Sequence, residues 1–508
     1  MCVRSPCYNG RRMLQDLDLR RQAIAAAVFT AFTIALVVAV RRETGAAYTY
    51  PLDDTYIHTA LARNLIEHHT WGINPGEFAN ASTSPVWTVL VAIAGGIVGW
   101  SRAPLLLGVL AGILVLATSE RFARAHDADG ARTSGVLAAV LFLTPLPFLA
   151  AMGLEHILHL GLALAFVVEM IGGGPVRPRA YLLAAVLPLV RPESLFLVGA
   201  AVLVRATISI REAGLVAACG LAPFALFCAG SLAMGGLVLP NSVLMKSGLT
   251  GGGTKLDLVT KNLSEGSALI ALVGAAATGF SGRPLLQRSA ALFVATSILQ
   301  LLLGGIGWVY RYEAWLVGWG VVLAVSTLTV SSARWAQAAA MATVLAVPTV
   351  RAFFAWTEFV PQAMGTHLGD RQIAELVGRA RWPGPVAVHD IGIIRTITDN
   401  PIIDVAGIAT TEIAKLHLAH ELSPESFGRI VAEGGADLAI VDTRWMTGTM
   451  PPSWVEVGTI TFPITHGRMS AYGFWATRPE AIDAVRRTLI EQCPEVDSRS
   501  RCELIPGR

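Results

Sequence analysis

Apolar runs recur from Gln22 to about residue 355 and then largely stop. A bilayer core about 30 Å thick takes roughly 20 consecutive apolar residues as a helix. This distribution therefore calls for a membrane domain over 22–355 and a soluble domain over 356–508. Of the 508 residues, 53% are hydrophobic and 15% are charged, against about 25% charged in soluble domains. Mean hydropathy is +0.56. These values exclude a plain soluble enzyme, a disordered chain and a nucleic-acid binder with a basic face. The net charge of +3 implies no global electrostatic partner.

The first apolar run, Gln22–Val40, follows Arg4, Arg11, Arg12, Arg20 and Arg21. A removable signal peptide is the rival reading, but no small-residue cleavage site precedes Arg41. The run reads as an uncleaved helix behind a cytoplasmic tail, 1–21. Further apolar segments lie at about 86–99, 103–119, 134–151, 156–171, 180–190, 194–204, 213–235, 267–279, 289–305, 314–330 and 336–354. Arginine-bearing connections at 121–132, 177–179, 205–211, 283–288 and 334 mark the cytoplasmic side. The outward loops are then 41–85, 152–155, 191–193, 236–266 and 306–313. The scheme closes if 86–99, short and containing Gly95 and Gly96, does not cross. It also takes 180–190 and 194–204 as two half-length helices meeting at Arg191-Pro192-Glu193; one kinked helix would invert everything downstream. About 11 crossings result, and the C-terminal domain lies outside.

Beyond residue 365, "PGPVAVHDIGIIRTI" and "ADLAIVDTRW" carry β-rich runs, and "RQIAELVGRA" and "PEAIDAVRRTLIEQ" read as amphipathic helices. That is a small α/β domain. Cys493 and Cys502 pair there if the region is oxidising, and are otherwise two free thiols. Its Asp390, Asp399 and Asp404 are polar candidates that strand ends and turns also explain.

The outward loops collect the polar residues. Asp53 and Asp54 sit just past the first helix. Adjacent carboxylates repel each other, so one is readily a proton acceptor or a metal ligand. Asp54 also reads as the N-cap of "TYIHTALARNLIEHH"; one aspartate can cap while the other faces a cavity. Ile57, Ala60, Leu61, Asn64 and Leu65 share a face suited to a helix on the membrane surface, with His58 at headgroup level or sharing the aspartate site. Trp87 reads as an interfacial residue. Glu155, beside His156 and His159, ends a helix either as a solvated terminus or as a functional charge. Arg191 and Glu193 either pair with each other or face a cavity. Asn241 and Lys246 follow an apolar helix, where an ammonium suits a phosphate oxygen. Arg311 and Glu313 lie among Trp308, Tyr310, Tyr312 and Trp315; Arg311 is either a phosphate clamp or an interfacial anchor. All fall on one side under one topology. A carboxylate base beside several cations suits proton removal from a hydroxyl with stabilisation of a leaving phosphate.

The ordered set of "DDTYIHTALARNLIEHHTWGINPGE", "STSPVWT", "MGLEH", "RPES", "LPNSVLMK", "YRYE" and "HDIGIIRTITDNPIIDVAGI" resembles the polytopic GT-C glycosyltransferases, in particular the bacterial arabinofuranosyltransferase-like members. The resemblance implies an α-helical polytopic membrane protein with an extracytoplasmic α/β domain, in the bacterial cytoplasmic membrane. It implies an inverting transferase that moves a sugar from a polyprenyl-phosphate donor to an extracytoplasmic glycan or lipid acceptor, with no nucleic-acid partner. Asp53 or Asp54 would be the general base. Lys246, Arg311 and Arg191 would hold the donor phosphate, and Glu155, His58, Glu193 and Asn241 would line the cavity. Some family members use a divalent metal; the sequence shows no full ligand set. His58 and "EHHTWG" are more polar than the family pattern. The alternative is a transporter or flippase for a lipid-linked or anionic substrate, since intramembrane charges also mark transport paths.

Overall fold

The computed structural model describes residues 6–45, 48–246, 255–327, 334–442, 446 and 448–506. Among them, four helices are long and apolar enough to cross a membrane: Leu17–Thr44, Ala103–Ala125, Ile210–Ala233 and Pro284–Leu303. The pair Lys255–Glu265 and Ser267–Phe280, bent by 78°, makes a fifth if it is one broken span. Six shorter apolar helices accompany them: Pro85–Val98, Gly130–Leu143, His156–Met170, Pro178–Val190, Ser194–Ala206 and Ala314–Thr327. By length and composition the structure thus supports fewer spans than the 11 expected.

The bundle has two polar ends. At one, Arg121 and Arg179 reach Glu169 at 3.4 and 2.7 Å. There too, Arg205 donates to the Gly174 carbonyl at 2.9 Å, and Arg283 pairs with Asp127 at 3.0 Å. Arg21 joins this end by donating to the Gly130 carbonyl at 3.0 Å. The other end gathers residues 50–84, 152–156, 191–194 and 303–313. Pro178–Val190 and Ser194–Ala206 run side by side against Ile210–Ala233, because a Cβ on Gly220 would meet both Val198 and the Ala184 carbonyl. The break at Arg191-Pro192-Glu193 is therefore a tight return. The Pro85–Val98 helix begins near His58 at Thr88 and is followed by Ser101, whose carbonyl accepts from the Tyr50 hydroxyl at 2.8 Å. Both its ends lie at the second polar end.

A helix, Arg334–Thr366, passes through residue 356 and continues as a π turn, His367–Arg371, into the helix Gln372–Ala380. The sheet behind it has six strands in the order β2-β1-β3-β5-β4-β6. Strands β1 (Val386–Val388), β2 (Ile402–Asp404) and β3 (Leu438–Asp442) are parallel. Strands β4 (Val455–Pro463), β5 (Met469–Ala476) and β6 (Arg501–Leu504) complete it antiparallel. β3 is buried on both faces, as a continuous apolar run requires. Ile373, Val377 and Leu489 cover one face, and Phe427, Ile430 and Trp454 the other. "HDIGIIRTI" turns from strand into the helix Gly392–Ile397, and Cys493 and Cys502 form a disulfide.

Close helix contacts depend on glycine. A Cβ on Gly108 would lie 2.3 Å from the Ala150 carbonyl oxygen, whereas one on Gly96 would meet nothing within 4 Å. Gly108→Ala is therefore expected to cost about 1–3 kcal/mol by overpacking, and Gly96→Ala to cost nothing. Thermal unfolding of the two purified variants measures the difference, and equal melting temperatures would contradict this packing.

Candidate functional site

The helix Asp53–Glu67 carries the centre of the site. Its residues Ile57, His58, Ala60, Leu61 and Asn64 are all buried. The helix is therefore covered on both sides, by the Pro85–Val98 helix and by the C-terminal domain, and does not lie on a membrane surface. Only its outer stripe is exposed, where Arg63 pairs with Glu67 at 2.8 Å. His58 is accordingly a buried side chain and not a headgroup residue.

The two aspartates part company because successive helical residues point about 100° apart. Asp53 turns to the C-terminal domain and accepts from the Gly392 and Ile393 amides at 2.8 and 2.7 Å. Asp54 turns to the bundle and meets Arg311 at 3.2 Å. Neither caps its own helix: the N-cap position is Leu52, with no side-chain cap.

Asp54 borders a cavity of about 240 Å³. Its polar wall contains His58, Thr83, Glu155, Arg191, Glu193 and Arg311. Glu155 accepts from Arg191 at 2.8 Å and from Thr83 at 3.4 Å, and lies 3.5 Å from His58 Nε2. Arg191 Nε also donates to Glu193 at 3.1 Å. Tyr312 sits between the guanidiniums, its ring centroid 5.6 Å from Arg191 Cζ and 5.1 Å from Arg311 Cζ. Behind His58, Thr88 and Ser82 hold its Nδ1 at 2.9 and 3.4 Å. Arg311 is only 1% exposed; its Nη2 is paired with Asp54, and its Nε finds no hydrogen-bond partner among the described residues. Glu155 Oε2 accepts no hydrogen bond among the described residues, with His58 Nε2 as its neighbour at 3.5 Å. A buried donor left unmade is costly, so these atoms mark where a polar ligand fits.

Burial alone would raise the Glu155 carboxyl, but His156, Arg191 and His58 hold it well below the ordinary carboxylate range. Burial lowers His58 in turn, against the pull of Glu155 and Asp54, and leaves it a neutral imidazole at pH 7. The Glu155 charge is thus matched chiefly by Arg191, and Arg311 keeps the more open guanidinium.

Several expected residues fall elsewhere. Asn241 does not line the cavity: its amide nitrogen reaches Thr411 of the C-terminal domain at 3.4 Å, while its neighbours Ser242 and Val243 do line it. Lys246 closes the short helix Asn241–Lys246, and its side chain lies outside the described residues. Arg191 is a bridge and a cavity wall together. Glu313 leaves Arg311 for Arg351, at 2.7 Å. Trp87 is only 1% exposed, with its Nε1 unpartnered among the described residues, so it packs inside the protein where an interfacial ring was expected. Asp404 accepts from the Ala406 amide at 2.8 Å and shapes a turn, and Asp399 is exposed. Thr83, Tyr312 and Gly392 were not singled out from the sequence. A glycine before an apolar run in "HDIG" was the one available signal for Gly392.

A family model described as a domain of unknown function (DUF8728) matches residues 361–478. No curated protein matches the sequence. Among solved structures, ArnT from Cupriavidus metallidurans in the apo state is similar at 12% identity, covering 90% of this chain and 99% of that one, with a TM-score of 0.52. The apo Archaeoglobus fulgidus oligosaccharyltransferase is similar at 11% identity, with a TM-score of 0.52 over 89% of this chain and 74% of that one. The form of that enzyme tethered to an acceptor peptide containing the NVT sequon gives 12% identity and a TM-score of 0.50, over 89% of this chain and 74% of that one. Both proteins are GT-C glycosyltransferases. The chain has a GT-C fold.

The resemblance in sequence to the GT-C glycosyltransferases raised the question of a divalent ion, which some of those enzymes use. Asp54 and Glu155 are each engaged by an arginine, and no group of three or more His, Cys, Asp or Glu side chains among the described residues could hold one. The donor set does not fit a metal.

The Glu155–Arg191 pair is almost fully buried, and removing one partner of such a pair costs about 3–5 kcal/mol. Glu155→Ala is expected to lower the melting temperature strongly. The double variant with Arg191→Ala should cost less than the sum of the two single variants, because both lose the same Glu155–Arg191 attraction, although Glu193 also loses its arginine. A double-mutant cycle with no coupling between the two positions would contradict the pairing.

Proposed function

We propose that the chain is a glycosyltransferase that moves a sugar from a polyprenyl-phosphate donor to an extracytoplasmic glycan or lipid acceptor. Asp54 is the general base, and Arg311 is the principal ligand of the donor phosphate. The observation that carries this reading is the buried Arg311 guanidinium in the wall of a cavity bordered by a carboxylate, paired with Asp54 through Nη2 and with its Nε unbonded among the described residues. A guanidinium fork suits phosphate oxygens. The other wall of the cavity is apolar, formed by Leu195, Phe196, Phe224, Leu239, Val243 and Leu303, and suits the first isoprene units of the carrier. The GT-C fold and the motif resemblance point the same way.

In the reaction, the acceptor oxygen attacks the anomeric carbon as Asp54 takes its proton. The bond from that carbon to the phosphate oxygen breaks, and its electron pair leaves with the polyprenyl phosphate. Attack opposite the leaving group inverts the anomeric centre. A phosphate bound to Arg311 replaces Asp54 as its partner, which frees the carboxylate to accept the proton. Arg191, tied to Glu155 and Glu193, adds field more than direct contacts. Lys246 remains a further candidate for the phosphate. An arabinofuranosyl-type sugar is the finer reading that the motifs support.

The same proposal places residues 22–355 in the bacterial cytoplasmic membrane and 356–508 outside. The two polar ends support eleven passes. On this reading the helices starting at 17, 130, 178, 210, 284 and 334 would run toward the Asp54 end and those starting at 103, 156, 194, 267 and 314 away from it, with the shorter apolar helices counted as passes beside the four long ones. Arginine-bearing loops at the far end then face the cytoplasm.

Purified protein with a polyprenyl-phosphate pentose or hexose donor tests the chemistry. Asp54→Asn is expected to lower transfer by about 10²–10⁴-fold, the usual worth of a general base. Arg311→Gln is expected to weaken donor binding by roughly tenfold or more, the scale of a lost charge-assisted bond of about 1.5–3 kcal/mol. Undiminished transfer by folded Asp54→Asn would refute the assignment.

A further inference from the structure

We infer that Asp53 is a positioning residue through which the C-terminal domain sets the aim of Asp54, an inference that rests on Asp54 being the base. The helix that carries both residues has no side-chain cap of its own. Its first turn is instead fixed from 339 residues away, where the Gly392 amide donates to Asp53 Oδ2 and the Ile393 amide to Oδ1. Those two amides belong to the first turn of Gly392–Ile397, where N–H groups lack intrahelical partners. One carboxylate satisfies both, so the two helix starts hold each other.

The approach is backbone to backbone. A Cβ on Gly392 would lie 2.5 Å from the Asp53 carbonyl oxygen, 2.5 Å from the Ile57 nitrogen and 2.8 Å from the Tyr56 carbonyl carbon. Only glycine permits this contact. The loop after the Asp53 helix is stitched to the same region. Asn74 exchanges two 2.9 Å bonds with the Ile402 backbone, and Arg395 Nε donates to the Ile73 carbonyl at 3.0 Å. On the opposite side, Thr55 Oγ1 donates to the Met152 carbonyl at 2.8 Å. The first turn is thus held between the C-terminal domain at Asp53 and the membrane bundle at Thr55, and Asp54 lies between them in sequence. Any rotation of that turn moves the Asp54 carboxylate away from Arg311.

The clamp also sits among titratable groups. Asp54 and Tyr56 face Asp53 from its own helix, Asp370 and Arg371 from the π turn, and His389 and Asp390 from the end of β1. The Tyr472 hydroxyl of β5 lies within hydrogen-bond distance of both Asp370 and Asp390, with one proton to share between them. Burial, then Asp390, push the Asp53 carboxyl up to about 7, against the two amides that favour its charged form. Below that pH the carboxyl is protonated and holds the two N–H donors less well.

The test uses the full-length protein in lipid nanodiscs with a polyprenyl-phosphate sugar donor, and compares wild type, Asp53→Asn and Gly392→Ala. Asparagine keeps the shape but turns an NH₂ toward one of the two amide donors. Both variants are expected to bind donor with KM within about threefold of wild type and to lose roughly tenfold or more in kcat, in keeping with the sensitivity of catalysis to small misplacements. In wild type, kcat should fall as pH drops through about 7; in Asp53→Asn that limb should vanish, leaving whatever limb Asp54 itself gives. Wild-type kcat in both variants would overturn the inference. So would a loss of stability or KM alone with the pH profile unchanged, which would make the contact merely structural. Asp54→Asn serves as the separate control: if it transfers sugar at the wild-type rate, the base assignment fails, whatever the Asp53 variants do.

Discussion

A guanidinium left only 1% exposed at the end of a helical bundle is the constraint around which the rest of this molecule is arranged. Charge taken out of water must be matched nearby or it destabilises the fold by several kcal/mol. Arg191 meets that demand twice, with Glu155 and Glu193. Arg311 meets it only through Asp54, and its Nε stays unbonded among the described residues. The difference separates a structural arginine from one disposed to bind an anion. The Tyr312 ring lies within cation–π distance of both guanidiniums and neutralises neither.

That arrangement needs a precisely held first outward helix, and the membrane bundle alone does not hold it. The helix is wedged between the Pro85–Val98 helix and the first turn of Gly392–Ile397, with polar ties on both sides. The C-terminal domain is therefore part of the site's architecture. The carboxyl ends of its parallel strands, where α/β folds place polar functional groups, carry His389, Asp390 and Asp442 and face the Asp53 side of the junction.

Much of this was legible in the sequence, and the rest fails for identifiable reasons. That the two aspartates would part was legible from their adjacency on a helix, but the sequence made Asp54 the cap and the other the cavity residue, the reverse of what is found; the Arg191–Glu193 pair was one of two readings left open, and both hold. The Gly392 partner of Asp53 was not legible, because no local pattern reports a contact across 339 residues. His58 and the face around it read as surface, since a covered amphipathic helix and a floating one share one periodicity. Only the placement of residues 392–397 distinguishes them. Asn241 was grouped with the cavity for its position after an apolar helix, but its neighbours point inward and it points to Thr411. Short helices such as Ala314–Thr327 carry too little apolar length for length alone to decide a crossing. Loop charge and end-to-end contacts have to decide it.

The most direct test is a structure of the protein with a polyprenyl phosphate bound in lipid nanodiscs. This account expects the phosphate in the cavity between Arg311 and Tyr312, bonded to the Arg311 guanidinium, with the Asp54 carboxylate released toward the acceptor side and the isoprenoid chain leaving past Leu195, Phe196 and Phe224. A phosphate bound elsewhere, with Arg311 still closed on Asp54, would contradict it.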